Sequence, residues 1–118
     1  MEILKSDSVA YQKSLLFAKR IVLLSRHLRD EHHEHVLSKQ ILRSGTSIGA
    51  NIAEARCACS RKDFSAKIYI ALKECAETIY WLELLHSTED LKNSEYESLR
   101  SDCEELRRML SATTKSTK

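Results

Sequence analysis

The sequence contains no proline and only two glycines in 118 residues. Turns draw heavily on Gly, Pro and Asn, and a fold of many short strands needs many turns. This shortage argues against a β-rich fold, whereas a few long helices joined by short loops need few such residues. Aromatic residues are also sparse, at 6%. No stretch approaches the ~20 consecutive apolar residues that span a bilayer. Residues 1–5 are short and polar, and no apolar segment follows them directly, so they do not read as a signal peptide. The expected location is therefore cytoplasmic, where thiols stay reduced. Of the four cysteines, Cys75 and Cys103 fall on apolar stripes and read as small core residues. Cys57-Ala58-Cys59 suggests metal or redox chemistry, but it is not a C-x-x-C and has no second pair.

A hydrophobic fraction of 42% suffices for one core, and 31% charged residues suit a helix-rich surface. The length fits a single domain over residues 1–118. Four segments carry apolar residues at helical spacing. The first covers 7–29, with Tyr11, Leu15, Ala18, Val22 and Leu28 in phase and Phe17, Ile21 and Leu24 widening the stripe. Ser6 or Asp7 is its expected cap. So broad a stripe predicts a helix covered on more than one side.

The second segment covers 34–58. Val36, Leu37, Ile41, Ser44, Ile48, Ile52 and Ala55 share one face. Gly45 and Gly49 lie inside it, and each costs a helix interior about 1 kcal/mol relative to Ala. Close approach of a neighbouring helix would offset that cost. A break at 44–47 is the rival reading; the apolar period stays in phase across it, which favours one helix.

The third segment covers 61–86, with Phe64, Ile68, Leu72, Cys75, Ile79, Leu82 and His86 recurring every three or four residues. Ser60 and Asp63 resemble a capping box. Tyr80 and Trp81 fall at the core rim or at a subunit contact. The fourth segment covers 94–112. Tyr96, Leu99, Cys103, Leu106 and Leu110 step 3-4-3-4, the pattern of a narrow packing seam. Ser94 to Glu97 reads as its capping box, and 113–118 as a frayed tail. Short connections force antiparallel neighbours. The fold predicted is all-α, an antiparallel up-down-up-down four-helix bundle.

Charge is unevenly spread. Residues 1–73 carry 13 Lys/Arg and 7 Asp/Glu, whereas 74–118 carry 6 and 10. A basic half and an acidic half suggest an anionic partner, self-association, or simply a solvated surface. The candidate phosphate contacts are Lys13, Lys19, Arg20, Arg26, Lys39, Arg43, Arg56, Arg61, Lys62 and Lys67. No aromatic residues interleave them in sequence, so little base readout is expected. Asn51 and Glu54, and Lys73, Glu74 and Glu77, flank the apolar stripes of segments two and three. With Gly45, Gly49 and Trp81 they are candidates for helix packing or subunit contact, or stripe edges in water.

Catalytic patterns are missing. There is no Gly-rich phosphate loop, no G-x-S-x-G and no H-E-x-x-H. The cluster His27, His32, His33 and His35 contains metal-ligand chemistry, yet a helix junction collects polar residues anyway. Glu83 and His86 match a di-iron Glu-x-x-His once, without the second copy such a site needs. His86 otherwise reads as a hydrogen-bonded residue at the bundle end. No catalytic residue, metal or cofactor is assigned.

From residue 37 to 85 the sequence becomes distinctive. The stretch 40–55 (QILRSGTSIGANIAEA), then Ser60 to Phe64, Ile70 to Glu74, and Tyr80-Trp81-Leu82 resemble the bacterial 23S rRNA intervening-sequence proteins, once labelled ribosomal proteins. The resemblance implies an antiparallel four-helix bundle that assembles as a homopentamer. It implies no catalytic residues. It also links the chain to the accessory variability determinants of diversity-generating retroelements, which bind nucleic acid and a reverse transcriptase. The function predicted is a non-enzymatic, oligomeric accessory protein binding RNA or DNA through a basic surface. The alternative is a protein-interaction scaffold, for example for a reverse transcriptase, using the face of segment one and the Gly45/Gly49 face. Neither reading involves a membrane.

Overall fold

The computed structural model describes residues 5–116, with side chains from Val9 to Lys115. Four helices run in order: α1 (Lys5–Glu31), α2 (Leu37–Arg56), α3 (Arg61–Ser87) and α4 (Asn93–Ser116). Each packs on two neighbours, α1 on α2 and α4, and α3 on α2 and α4, with no close backbone approach across the diagonals among the described residues. The result is an all-α four-helix bundle, 45 × 21 × 18 Å.

The core follows from helical spacing. Phe17, Ile21, Leu24 and Leu28 of α1 meet Ile41, Ile48, Ile52 and Ala55 of α2. Phe64, Ile68, Cys75, Leu82 and Leu85 of α3 meet Leu99, Cys103, Leu106 and Leu110 of α4. All are buried. Cys75 and Cys103 are fully enclosed, as their stripes predict, and the Cys103 thiol lies 3.6 Å from the Cys75 carbonyl oxygen. Interaction with the Cys75 thiol, followed by burial, pushes the Cys103 thiol far above its usual range.

α2 is continuous through 44–47. A Cβ on Gly45 would stand 2.8 to 3.2 Å from three atoms of the Ile21 side chain, and one on Gly49 would stand 2.9 Å from Ser14 Oγ. The two glycines therefore mark where α1 presses closest onto this face of α2. Buried beside them, Thr78 Oγ1 donates to Ser44 Oγ at 2.9 Å, tying α3 to α2.

Helix boundaries depart from the sequence reading at several ends, among them the end of α2, which stops at Arg56 rather than at 58. α1 is already running at Ser6 and Asp7, so neither caps it. α2 starts at Leu37: Val36 precedes it and is 67% exposed, and the Glu34 carboxylate accepts from the Leu37 N–H at 3.1 Å. α4 starts at Asn93, which puts Ser94 inside its first turn; no hydrogen bond of the Ser94 hydroxyl is found among the described residues. α4 also continues to Ser116, with Thr113 and Thr114 buried, so residues 113–116 are not a frayed tail. Ser60 does cap α3, its Oγ accepting from the Asp63 N–H at 3.0 Å. Asp63 reaches back one residue further than a capping box requires, to the Cys59 N–H.

Two loops turn at the same end of the bundle without glycine. His33 (φ 53°) and Glu89 (φ 66°) take the left-handed conformation. The following N–H groups close onto the helices just ended, Glu34 onto Leu28 O and Asp90 onto Leu85 O, each at 2.9 Å.

Candidate nucleic-acid interface

The ten candidate cations divide into two sets. Lys13 pairs with Glu105 at 3.1 Å and Arg20 with Asp102 at 2.7 Å, both across the α1–α4 seam. Lys67 pairs with Glu54 at 3.3 Å between α3 and α2. The Arg56 guanidinium sits 4.5 Å over the Tyr11 ring. Arg43 of α2 reaches both Glu74, at 2.9 Å, and Glu77 of α3. These five fasten helices together, so the charge asymmetry of the sequence is partly spent inside the bundle.

The other five, Lys19, Arg26, Lys39, Arg61 and Lys62, are exposed and have no ion pair among the described residues. Lys19 lies midway along α1, and Arg26 and Lys39 lie nearer the end where α1 and α2 connect. Arg61 and Lys62 open α3 at the opposite end.

The polar residues flanking the stripes are also placed. Asn51 is half-buried and donates to Ser47 O at 2.8 Å within its own helix. Trp81 lies at the core rim and donates its indole N–H to Glu77 at 3.0 Å. That hydrogen bond, followed by the bond from Arg43, holds the Glu77 carboxyl below its ordinary range. Lys73 is exposed on α3 and has no ion pair among the described residues.

α1 departs from the stripe read in sequence. Its buried face is Ala10, Phe17, Ile21, Leu24 and Leu28. Leu15 is 50% exposed, and Tyr11, Ala18 and Val22 are half-buried edges. Leu16 and Leu23 are 62% and 61% exposed. The broad stripe therefore serves one buried face and leaves leucines on the outer one, interspersed with Lys19 and Arg26.

The histidines do not converge. His32 Nδ1 lies 3.2 Å from Asp90 Oδ1, linking the two loops at that end, and His27 meets the His32 ring edge-on at 5.1 Å. No group of three or more His, Cys, Asp or Glu side chains among the described residues is placed to hold a metal ion. Glu83 turns outward to Arg100 at 2.9 Å. His86 stacks on Tyr96, with ring centroids 4.2 Å apart, and no hydrogen bond of its side chain is found among the described residues. No helix of the described residues is long and apolar enough to cross a membrane.

The sequence profile of the family described as 23S rRNA-intervening sequence protein matches residues 6–112. The chain belongs to that family. A solved structure of a protein of unknown function from the S23 ribosomal protein family of Bacteroides thetaiotaomicron is similar, with a TM-score of 0.92 and 55% identity. The match covers 93% of this chain and 98% of that one. No curated protein matches. In this 23S rRNA intervening-sequence family member, the distinctive stretch 40–55 forms most of α2. It supplies the Gly45/Gly49 seam, the Ser44–Thr78 bond and the Arg43 bridge to α3.

One surface arrangement is not apparent from the order of residues along the chain. The basic positions do not alternate with exposed aromatics in sequence, but α3 brings Tyr69 and Tyr80 onto its outer face with Lys62 and Lys73. The seven- and four-residue steps between them are the signal that would have revealed it.

Proposed function

We propose that this protein is a non-enzymatic, oligomeric accessory factor that binds nucleic acid through a basic surface in the cytoplasm. The observation supporting this is the set of exposed cations without carboxylate partners: Lys19, Arg26, Lys39, Arg61 and Lys62. Lysine and arginine left free of internal pairs can replace the counterions of phosphate groups, and binding of that kind weakens steeply with salt. Assembly of several copies would multiply the patch, because phosphate contacts made by linked subunits reinforce one another. The exposed Cys57 and Cys59 thiols suit a reducing compartment.

The test is a salt titration of binding to generic RNA and DNA. Log affinity should fall linearly with log salt, and replacing Lys19, Arg26 and Lys39 by Gln should flatten the slope by about one per lost contact. Binding that ignores salt, or no binding at low salt, would refute the reading.

The second reading is a protein-interaction scaffold, including self-assembly into a homopentamer and docking of a partner such as a reverse transcriptase. The outward leucines Leu15, Leu16 and Leu23 favour it, since apolar side chains gathered on the outside of one helix mark contact surfaces when they form a contiguous patch. Light scattering tests the assembly: a pentamer has five times the chain mass of 13.6 kDa. Changing Leu16 and Leu23 to Glu should shift the assembly to smaller species. Loss of nucleic-acid binding in the basic variants with unchanged partner binding would separate the two readings.

A further inference from the structure

We infer that the outer stripe of α3 is a platform for an unpaired RNA strand, with bases stacked on Tyr69 and Tyr80 and phosphates held by Lys62 and Lys73. This deepens the nucleic-acid reading above and rests on it.

The stripe follows from spacing. Positions 62, 69, 73 and 80 are separated by seven, four and seven residues, steps that return to one face of a helix. The opposite face of α3 carries the core residues Phe64, Ile68, Ala71, Cys75 and Leu82. The four side chains thus point away from the bundle in the order Lys, Tyr, Lys, Tyr. Eighteen residues of helix span about 27 Å.

Both rings are open to solvent, Tyr69 at 47% and Tyr80 at 59%. Neither hydroxyl has a hydrogen-bond partner among the described residues. Tyr80 is held in place: its ring meets the edge of Trp81 with centroids 5.0 Å apart, and Trp81 is itself fixed by its bond to Glu77. An aromatic face that is exposed and already ordered loses little entropy on stacking a base.

Electrostatics favour an anion along the same line. Of the acids near the stripe on α3, Glu74 and Glu77 are engaged by Arg43 and Glu83 by Arg100, and Asp63, beside Lys62, accepts from the Cys59 N–H. Lys62 and Lys73 have no ion pair among the described residues. Alternating cation and ring is the arrangement by which proteins hold single strands, because every base has a stacking face and every linkage a charge. A duplex hides its base faces and gives the rings nothing to stack on. Tyr69 and Tyr80 are about 16 Å apart along the helix, well beyond the ~3.4 Å step between stacked bases, so they take bases several nucleotides apart. The free phenol hydroxyls can exchange hydrogen bonds with a ribose 2′-hydroxyl, which DNA lacks.

The experiment is fluorescence anisotropy of the full chain with a labelled twelve-nucleotide uridine RNA, the matching thymidine DNA, and an RNA duplex of equal length. The single-stranded RNA should bind tightest. Tyr69→Ala and Tyr80→Ala should each weaken it by about tenfold or more, whereas Tyr69→Phe and Tyr80→Phe, which keep the ring but not the hydroxyl, should keep the stacking and lose the preference for RNA over DNA. Lys62→Gln and Lys73→Gln should flatten the salt dependence. Circular dichroism confirms that each variant is folded, as expected for exposed sites. The inference is overturned if the alanine variants bind like the parent, or if duplex RNA or the DNA strand binds as tightly. It is also overturned if the alanine variants change the oligomer mass by light scattering, which would make the stripe a subunit contact. Should Lys19→Gln and Arg26→Gln abolish binding while the tyrosine variants do not, this inference fails and the broader reading stands. Should no nucleic acid bind at low salt, both fail.

Discussion

Gly45 on α2 faces Ile21 on α1 so closely that a Cβ at position 45 would stand 2.8 Å from Ile21 Cγ2. Ile21 is fully buried, and the contact includes its branched Cβ at 3.2 Å, so the side chain cannot swing clear. Gly45→Ala gains about 1 kcal/mol in helix propensity but overpacks a rigid site, which typically costs about 1–3 kcal/mol. The net result should be destabilising. At Gly49 the nearest atom is the Ser14 hydroxyl at 2.9 Å, which can swing aside only by giving up its bond to Tyr11 O, a loss of about 1 kcal/mol that the gain in helix propensity offsets. Gly49→Ala should therefore be nearly neutral. Paired urea denaturation of the two variants checks the contrast; equal effects would refute it.

Glu89 ends the α3 turn with φ 66°. A non-glycine residue in this region costs on the order of 1 kcal/mol, and part of that is returned as extra backbone freedom when glycine unfolds. Glu89→Gly should stabilise the fold by about 0.5 kcal/mol, raising the melting temperature. Glu89→Val, which is β-branched, should lower it.

The Glu77 carboxyl is held low first by the Trp81 indole N–H and then by Arg43. A group whose folded pKa lies below its unfolded one adds stability above the unfolded value, and loses it as pH falls through the folded value. Stability should thus decline on acidification below about pH 4.5, the ordinary value for this carboxyl. Glu77→Gln keeps an acceptor for Trp81 but no charge for Arg43, so its urea midpoint should vary less between pH 5 and pH 3. An unchanged acid slope in the variant would count against the assignment.

Cys57 and Cys59 are exposed in the α2–α3 loop, whereas Cys75 and Cys103 are enclosed. The thiolate is the reacting species, and burial suppresses it. An aromatic disulfide reagent should titrate two thiols quickly in the native protein and the other two only on unfolding. Four fast thiols would show that the α3–α4 core opens readily.

Much of the fold is legible along the chain because helical spacing is a local property. Ile41, Ile48 and Ile52, or Leu99, Cys103 and Leu106, can face only one way once a helix forms, and each segment has one apolar face that must be covered. α1 is only partly legible because its apolar residues occupy more of the circumference than one neighbour pair can cover. Sequence cannot say whether Leu24 or Leu23 turns inward until α2 and α4 are in place. Helix ends are also poorly legible, since a left-handed His33 or Glu89 can close a helix end without the glycine that normally signals it.

The interface depended more heavily on tertiary structure. Ten cations looked alike in sequence, but packing α1 against α4 and α2 against α3 neutralised Lys13, Arg20, Arg43 and Lys67. Ion pairing depends on which helices meet, and the chain does not state that locally. The sequence alone determined four amphipathic helices, their order, and the two glycines that permit close packing, because periodicity and propensity act within a few residues. Only the tertiary structure decided which charges and rings remain outside, because exposure belongs to the surface left once the helices have covered one another.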